Sequence, residues 1–323
     1  MYLPRNKFVA KQTLESLFEA MYHGKHDYRD FIESPISNLF KKVRRKSRVF
    51  YKADDKLRAY HKFINLFVFD FLKINTDVVY SYRKGMNVID AVKRHAYSRH
   101  FCQTDLKDFF GSIDADLIKS CILDNLDRIP VSDVDVHLER LVELVSFDGM
   151  LPPGFATSPP LSNACLYQFD NKADAYCRER GLIYTRYSDD IIISSSSGRL
   201  YGLSETVEEI LNECFGGRLK INAAKTKYTT VGGKIKLLGL VVLPNGDITI
   251  DAKLKTKIEV MLHYYLTDRS EFNKLIEKDS IKGVAALSGY LNYINTTDPS
   301  YLNKLRLKYG ATIVDMFIRG SVK

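Results

Sequence analysis

Long hydrophobic runs, a cysteine framework and biased tracts are all missing from this sequence, and each absence excludes something. The longest apolar stretch, residues 64–72, is interrupted by Asp70 and falls far short of the roughly 20 residues that cross a bilayer. The opening MYLPRNKFVA lacks the apolar core of a secretory signal. A soluble, cytoplasmic protein with no membrane partner is expected. The five cysteines, Cys102, Cys121, Cys165, Cys177 and Cys214, are odd in number and form no CxxC or Cys/His cluster. That argues against a disulfide scaffold or a zinc site and fits a reducing compartment. No internal repeat or low-complexity segment is present.

What remains is a globular composition. The 323 residues are 45% hydrophobic and 27% charged, enough to bury a sizeable core. The formal charge is +9 and unevenly spread, since Lys41, Lys42, Arg44, Arg45, Lys46 and Arg48 fall close together. A polyanionic partner is the expected consequence, against the plainer reading of a solvated basic loop.

Along the chain, the first hundred residues read as helices around a basic strand pair, with helix over 14–21, extended chain over 48–51 and one long helix over 57–72. Between 101 and 239 short strands mix with helices: FCQTDL, IYTRY, IIIS and KLLGLVVL read as strands and 161–180 as a helix. The pattern is α+β. Asn245-Gly246 is a hairpin-turn dipeptide, and beyond it amphipathic helices return over 254–266 and 284–294.

The chemistry concentrates in two acidic segments. YTRYSDDIIIS, residues 184–194, joins two apolar strand-forming runs through Ser188, Asp189 and Asp190, so a hairpin should carry acids at its tip. Adjacent carboxylates repel, and a divalent cation would relieve them; an ordinary Asp-containing turn is the bland alternative. The second segment, CQTDLKDFFGSI over 102–113, places Asp105 at the close of a strand. Three carboxylates on adjoining strands suit two-metal phosphoryl transfer. Asp108 reads as a cap or surface group. LPPGFATSPPLSN over 151–163 is a rigid turn in which prolines fix the approach and Gly154 permits close backbone contact. Lys225 offers a cation near a nucleotide phosphate, or a solvated lysine.

Taken in order, these segments resemble the reverse transcriptases, and within them the small prokaryotic retron and defence-associated enzymes. Asp105 matches the first catalytic aspartate, LPPGFATSPPLSN the LPQG-like template-and-nucleotide loop, and Tyr187-Ser-Asp-Asp190 the Y-x-D-D signature. Lys225 matches the lysine of a KT element, and Leu238-Gly239 the primer grip. The segment RVFYKADDKLR from Arg48 is similar to the fingers strand whose basic residues hold a triphosphate, which implicates Lys42 and Arg48. Phe110 matches the aromatic position that blocks a 2′-hydroxyl, with a core phenylalanine as the alternative, while Phe109 reads as core. Two departures mark the chain as divergent from standard retron enzymes. Ala91-Val-Lys-Arg-His95 keeps the histidine of an Asn-Ala-x-x-His element without its asparagine, and Leu237-Leu-Gly239 replaces Val-Thr-Gly.

The resemblance implies a right-hand polymerase: fingers over 1–100 with a return near 115–150, a palm over 101–114 and 151–245 with an antiparallel sheet, and a helical thumb over 246–323. It implies an RNA-directed DNA polymerase using two Mg2+ ions, or Mn2+, held by Asp105, Leu106, Asp189 and Asp190, with Lys42, Arg48, Phe110, Gly154 and Lys225 toward the nucleotide. The implied partners are a noncoding RNA template, deoxynucleoside triphosphates and a DNA product or RNA–DNA duplex, with an effector protein or a second copy as further candidates and anti-phage defence as the setting. Arg44, Arg45 and Lys46 should meet template phosphates. Lys253, Lys255, Lys257, Lys304, Arg306 and Lys308, with Tyr264, Tyr265, Tyr290, Tyr293 and Tyr301, suit RNA contacts, although helical spacing points Tyr290 and Tyr293 to the thumb core. The rival readings are an RNA-copying RNA polymerase, an RNA-binding scaffold with vestigial catalysis, and a group II intron-like enzyme, for which no room is expected after the thumb.

Overall fold

A computed structural model describes residues 10–45, 48–198, 200–278 and 283–320. Lys46 therefore lies outside the described residues. The chain forms two compact units, one of Met1–Met86, Cys102–Ile193 and Leu200–Tyr228, the other of Asn87–Phe101, Ser194–Arg199 and Thr229–Lys323.

The first unit opens on helix Leu14–Tyr22, started by the Thr13 hydroxyl accepting the Ser16 N–H. Its buried Leu14, Phe18 and Tyr22 recur every fourth residue and so share one face. Phe18 packs against Phe31 and Phe63, with ring centroids 4.9 and 5.2 Å away. Helix Asp55–Phe67 is capped by Asp54, whose carboxylate accepts the Leu57 N–H. The expected helix over 57–72 ends sooner: Val68, at φ −120°, leaves the helix and Phe69–Phe71 makes a single 3-10 turn. The break lets the neighbours Val68 and Phe69 both reach the core, although a straight helix would set them about 100° apart. The expected helix over 161–180 is likewise two, Ser158–Cys165 and Tyr167–Glu179, parted at Leu166. Prolines 159 and 160 sit in the first turn, where their missing N–H groups have no helical partner to lose.

Strands β1 (Phe40–Arg45) and β2 (Arg48–Ala53) form an antiparallel ribbon. A four-stranded sheet has β3 (His100–Asp105), β4 (Ile183–Tyr187), β5 (Asp190–Ser195) and β6 (Lys227–Thr230) in the order β4-β5-β3-β6. β3 runs antiparallel to β5, since Leu106 N–H meets Asp189 C=O at one end and Arg99 N–H meets Ser195 C=O at the other.

In the second unit β7 (Ile235–Leu237), β8 (Leu240–Val242) and β9 (Ile248–Ile250) form an antiparallel sheet. KLLGLVVL, expected as one strand, is thus a hairpin. It turns at Leu238 and Gly239, both with positive φ, 49° and 85°, as a type I′ turn demands. The Asn245-Gly246 turn forms where expected, between β8 and β9. Helices Ala252–Thr267, Arg269–Lys278, Gly283–Thr297, Pro299–Tyr309 and Ala311–Ile318 follow. Among the tyrosines, Tyr265 and Tyr301 are buried, whereas Tyr290 and Tyr293 are only half-buried; Leu287, Leu291 and Ile294 take the core positions of that helix. Lys308 and Tyr301 both meet Glu259, and Arg306 pairs with Asp315. His95 is buried against the Ser194 hydroxyl, Nδ1 to Oγ 2.6 Å.

Candidate active site

The acids lie at a hairpin tip, as the apolar strand-forming runs on either side of them implied. β4 and β5 are joined by Ser188 and Asp189, and Asp190 heads β5. Of the two turn residues only Ser188 has positive φ, 60°, the pattern of a type II′ turn, where glycine is the usual first residue. A serine there is strained by about 1 kcal/mol or more, so something must hold it.

Asp105 ends β3 on the neighbouring strand. Its backbone C=O accepts the Asn222 N–H at 2.7 Å, which docks the 3-10 turn Ala223–Lys225 beside it. Lys225 Nζ then reaches Asp105 Oδ2 at 2.5 Å, so the lysine lies over an acid. Asp105 Oδ1 is buried with no hydrogen-bond partner. Asp190, at the solvent-exposed head of β5, has its carboxyl pushed up to about 6. Lost hydration contributes most, then the negative charges of Asp189 and Asp105, with Lys225 pulling the other way. An orphaned carboxylate oxygen and mutually repelling acids, all hard oxygen donors, fit a divalent cation such as Mg2+ or Mn2+. Among the described residues, however, no three acid, imidazole or thiol side chains already converge as a finished metal cage.

The other expected residues fall in different places. Phe110 is half-buried, its ring 5.2 Å from that of Phe109, which is core. Asp108 is exposed, and the cap of the next helix is Asp114. Gly154, at φ 106°, lies against β2: a Cβ there would stand 2.6 Å from the Tyr51 carbonyl oxygen. The close approach that the glycine permits is thus to the chain's own backbone, beside the Tyr51 N–H to Pro153 C=O bond of 2.8 Å. On the basic ribbon, Lys42 pairs across with Tyr51 and Arg48 with Arg45. With side chains alternating along a strand, Lys42 and Arg48 project from opposite faces, and Arg44 shares the face of Lys42. Leu238 and Gly239 belong to the second unit and form its β7–β8 turn.

Sequence reasoning missed a buried polar cluster directly beneath the hairpin. Arg186 and Asp170, both fully buried, form a bidentate pair: Nε to Oδ1 2.8 Å and Nη2 to Oδ2 2.6 Å. The Tyr184 hydroxyl donates to Asp170 Oδ1 at 2.8 Å. Arg186 Nη1 donates to Asn163 Oδ1 at 3.1 Å and to the Ser188 carbonyl at 3.0 Å. The signal available in the sequence was a lone arginine inside the apolar strand IYTRY.

A family model described as reverse transcriptase (RNA-dependent DNA polymerase) matches residues 40–242. The Escherichia coli retron Ec73 reverse transcriptase is 30% identical over 274 residues, 81% of this chain and 83% of that protein. The Escherichia coli retron Ec83 reverse transcriptase is 24% identical over 257 residues, 76% and 79% of the two chains. A solved apo telomerase from Candida tropicalis aligns over 90% of this chain and 62% of its own at 12% identity, with a TM-score of 0.45, too loose a superposition to carry a functional comparison. The hairpin acids, the strand-end aspartate and these matches agree: this chain belongs to the reverse transcriptase family, as a divergent retron-type RNA-directed DNA polymerase with the α+β right-hand fold.

Proposed function

We propose that the enzyme copies a dedicated noncoding RNA into DNA in anti-phage defence, by phosphoryl transfer at Asp105, Asp189 and Asp190. The observation that carries the mechanism is the gathering of these carboxylates at adjoining strand ends, with Asp105 Oδ1 buried and unpartnered and Asp190 raised by its acidic neighbours. Asp105, the Leu106 segment, Asp189 and Asp190 would hold two Mg2+ ions, which when bound supply charge neutralisation at the attacking oxygen and the phosphates. Lys225 sits where its ammonium can turn from Asp105 to a triphosphate. Lys42 and Arg44, on one face of the ribbon, can reach the same nucleotide from one side, and Arg48, on the other face, is better placed for template phosphates. Fingers, palm and thumb keep the limits given above, with the second unit's helices contributing lysines and half-buried tyrosines to the RNA surface.

Phe110 is the proposed barrier to a 2′-hydroxyl. Phe110→Val should raise ribonucleotide incorporation relative to the deoxynucleotide by about tenfold or more, equal to about 1.4 kcal/mol of lost discrimination. An unchanged ratio in a folded variant would mean that the ring only fills core. The template reading is tested by sequencing the RNA that copurifies with protein from its native host. One abundant structured species encoded beside the gene is expected, and a random sample of cellular RNA would refute a dedicated template.

A further inference from the structure

The segment Val78–Tyr82 carries none of the expected motifs, yet it lies along β4 and meets the acidic hairpin at the N–H and the hydroxyl of Ser188. Val79 and Arg186 form a parallel bridge, with Arg186 N–H donating to Val78 C=O at 2.9 Å and Tyr80 N–H to Arg186 C=O at 3.1 Å. The Ser188 N–H donates to the Ser81 hydroxyl at 2.7 Å. The Ser188 C=O accepts from Arg186 Nη1, and the Ser188 hydroxyl meets the Tyr82 hydroxyl at 2.9 Å. Ser81 and Asn163 are tied in turn, Asn163 Nδ2 donating to the Ser81 C=O at 2.8 Å. Tyr82 itself has φ 56°, so two non-glycine residues in the left-handed region face each other. Such strain persists only where surrounding contacts over-determine it.

We propose that Ser81, Tyr82 and Arg186 act as a positioning clamp on Ser188, fixing the direction in which Asp189 and Asp190 present their carboxylates. The Ser188 carbonyl held by Arg186 belongs to the peptide bond that leads into Asp189, so its orientation sets that of the next residue. Asp170 and Asn163 keep Arg186 in register by occupying its other N–H groups. Without the clamp, a serine at this turn position relaxes to negative φ and swings the acids. The clamp rests on the proposed role of Asp189 and Asp190, which is a separate claim.

The experiment compares Ser81→Ala, Ser81→Thr and Tyr82→Phe with Asp189→Asn and the wild type. Turnover, deoxynucleotide KM, RNA affinity, thermal midpoint and Mn2+ binding by electron paramagnetic resonance are measured on each full chain. Ser81→Ala should lower kcat by about ten- to a hundredfold, the scale of a misplaced catalytic group, and weaken Mn2+ binding, while KM and RNA affinity stay within about twofold. Ser81→Thr, which keeps the hydroxyl, should recover most of kcat. Tyr82→Phe, at a partly exposed ring that leaves folding intact, should cost about three- to tenfold by the same mechanism. If Asp189→Asn is inactive while Ser81→Ala and Tyr82→Phe keep wild-type kcat and Mn2+ affinity, the clamp is wrong and the site assignment stands. If Asp189→Asn polymerises normally, the site assignment itself is wrong and the clamp falls with it.

Discussion

Asp190→Asn is expected to abolish polymerisation, with kcat down by at least about a thousandfold, or about 4 kcal/mol of lost transition-state stabilisation. Asparagine keeps the shape and removes the charge, so RNA affinity should be unaffected. Asp105→Asn and Asp189→Asn should behave alike, and Asp108→Asn, at an exposed position, should cost far less. A second readout does not depend on turnover. The Asp190 carboxyl moves from its ordinary 3.8 to about 6 in the folded chain, so between those values the folded state holds a proton that the unfolded state has released. Stability then falls as pH rises through about 4 to 6, and the penalty is fully present above about 6. Solvent access at Asp190 keeps the effect small. At pH 8 added Mg2+ should raise the thermal midpoint of the wild type, and Asp190→Asn should lose most of that response. A variant that polymerises normally, or that responds to Mg2+ like the wild type, would remove Asp190 from the site.

The largest loss of stability is expected from Asp170→Ala. It leaves the Arg186 guanidinium charged, fully buried and stripped of its bidentate partner, a change that typically costs about 3–5 kcal/mol. The exposed pair Arg29–Glu33 provides the contrast, since Glu33→Ala removes only a solvent-screened partner and should scarcely change stability. Denaturant unfolding compares the two, and equal losses would show that the buried pair contributes no more than a surface one. Replacing both members, as in Arg186→Met with Asp170→Leu, should recover much of the stability, because two desolvated charges and their attraction nearly cancel. That double variant still lacks the donor to the Ser188 carbonyl. It should therefore fold and polymerise poorly, which separates the pair's part in stability from its part in aiming the hairpin.

Much of the site was legible because it is local. Short strand-forming runs on either side of Ser188-Asp189-Asp190, bounded by that turn, specify a hairpin, and Asp105 closes a strand that can be recognised in the same way. The α+β pattern and the Asn245-Gly246 turn followed from equally short windows. Sequence went astray where competing local signals had to be settled by packing. Residues 57–72 have an apolar pattern compatible with one helix, but burying Val68 and Phe69 together broke it. KLLGLVVL has the composition of a strand, and only the left-handed backbone at Leu238 and Gly239 turns it into a hairpin. Lys42 and Arg48 are both basic and six residues apart, yet the pairing register of the ribbon sets them on opposite faces.

By itself, then, the sequence determined the class of fold, the acidic hairpin and the three carboxylates, since periodicity and turn chemistry act over a few residues. The tertiary structure decided what holds the turn that carries two of them. Ser81 and Ser188 stand 107 residues apart and Asp170 and Arg186 16 apart. A hydrogen bond requires its two groups within about 3 Å, a condition that no local pattern encodes and that only the folded chain meets.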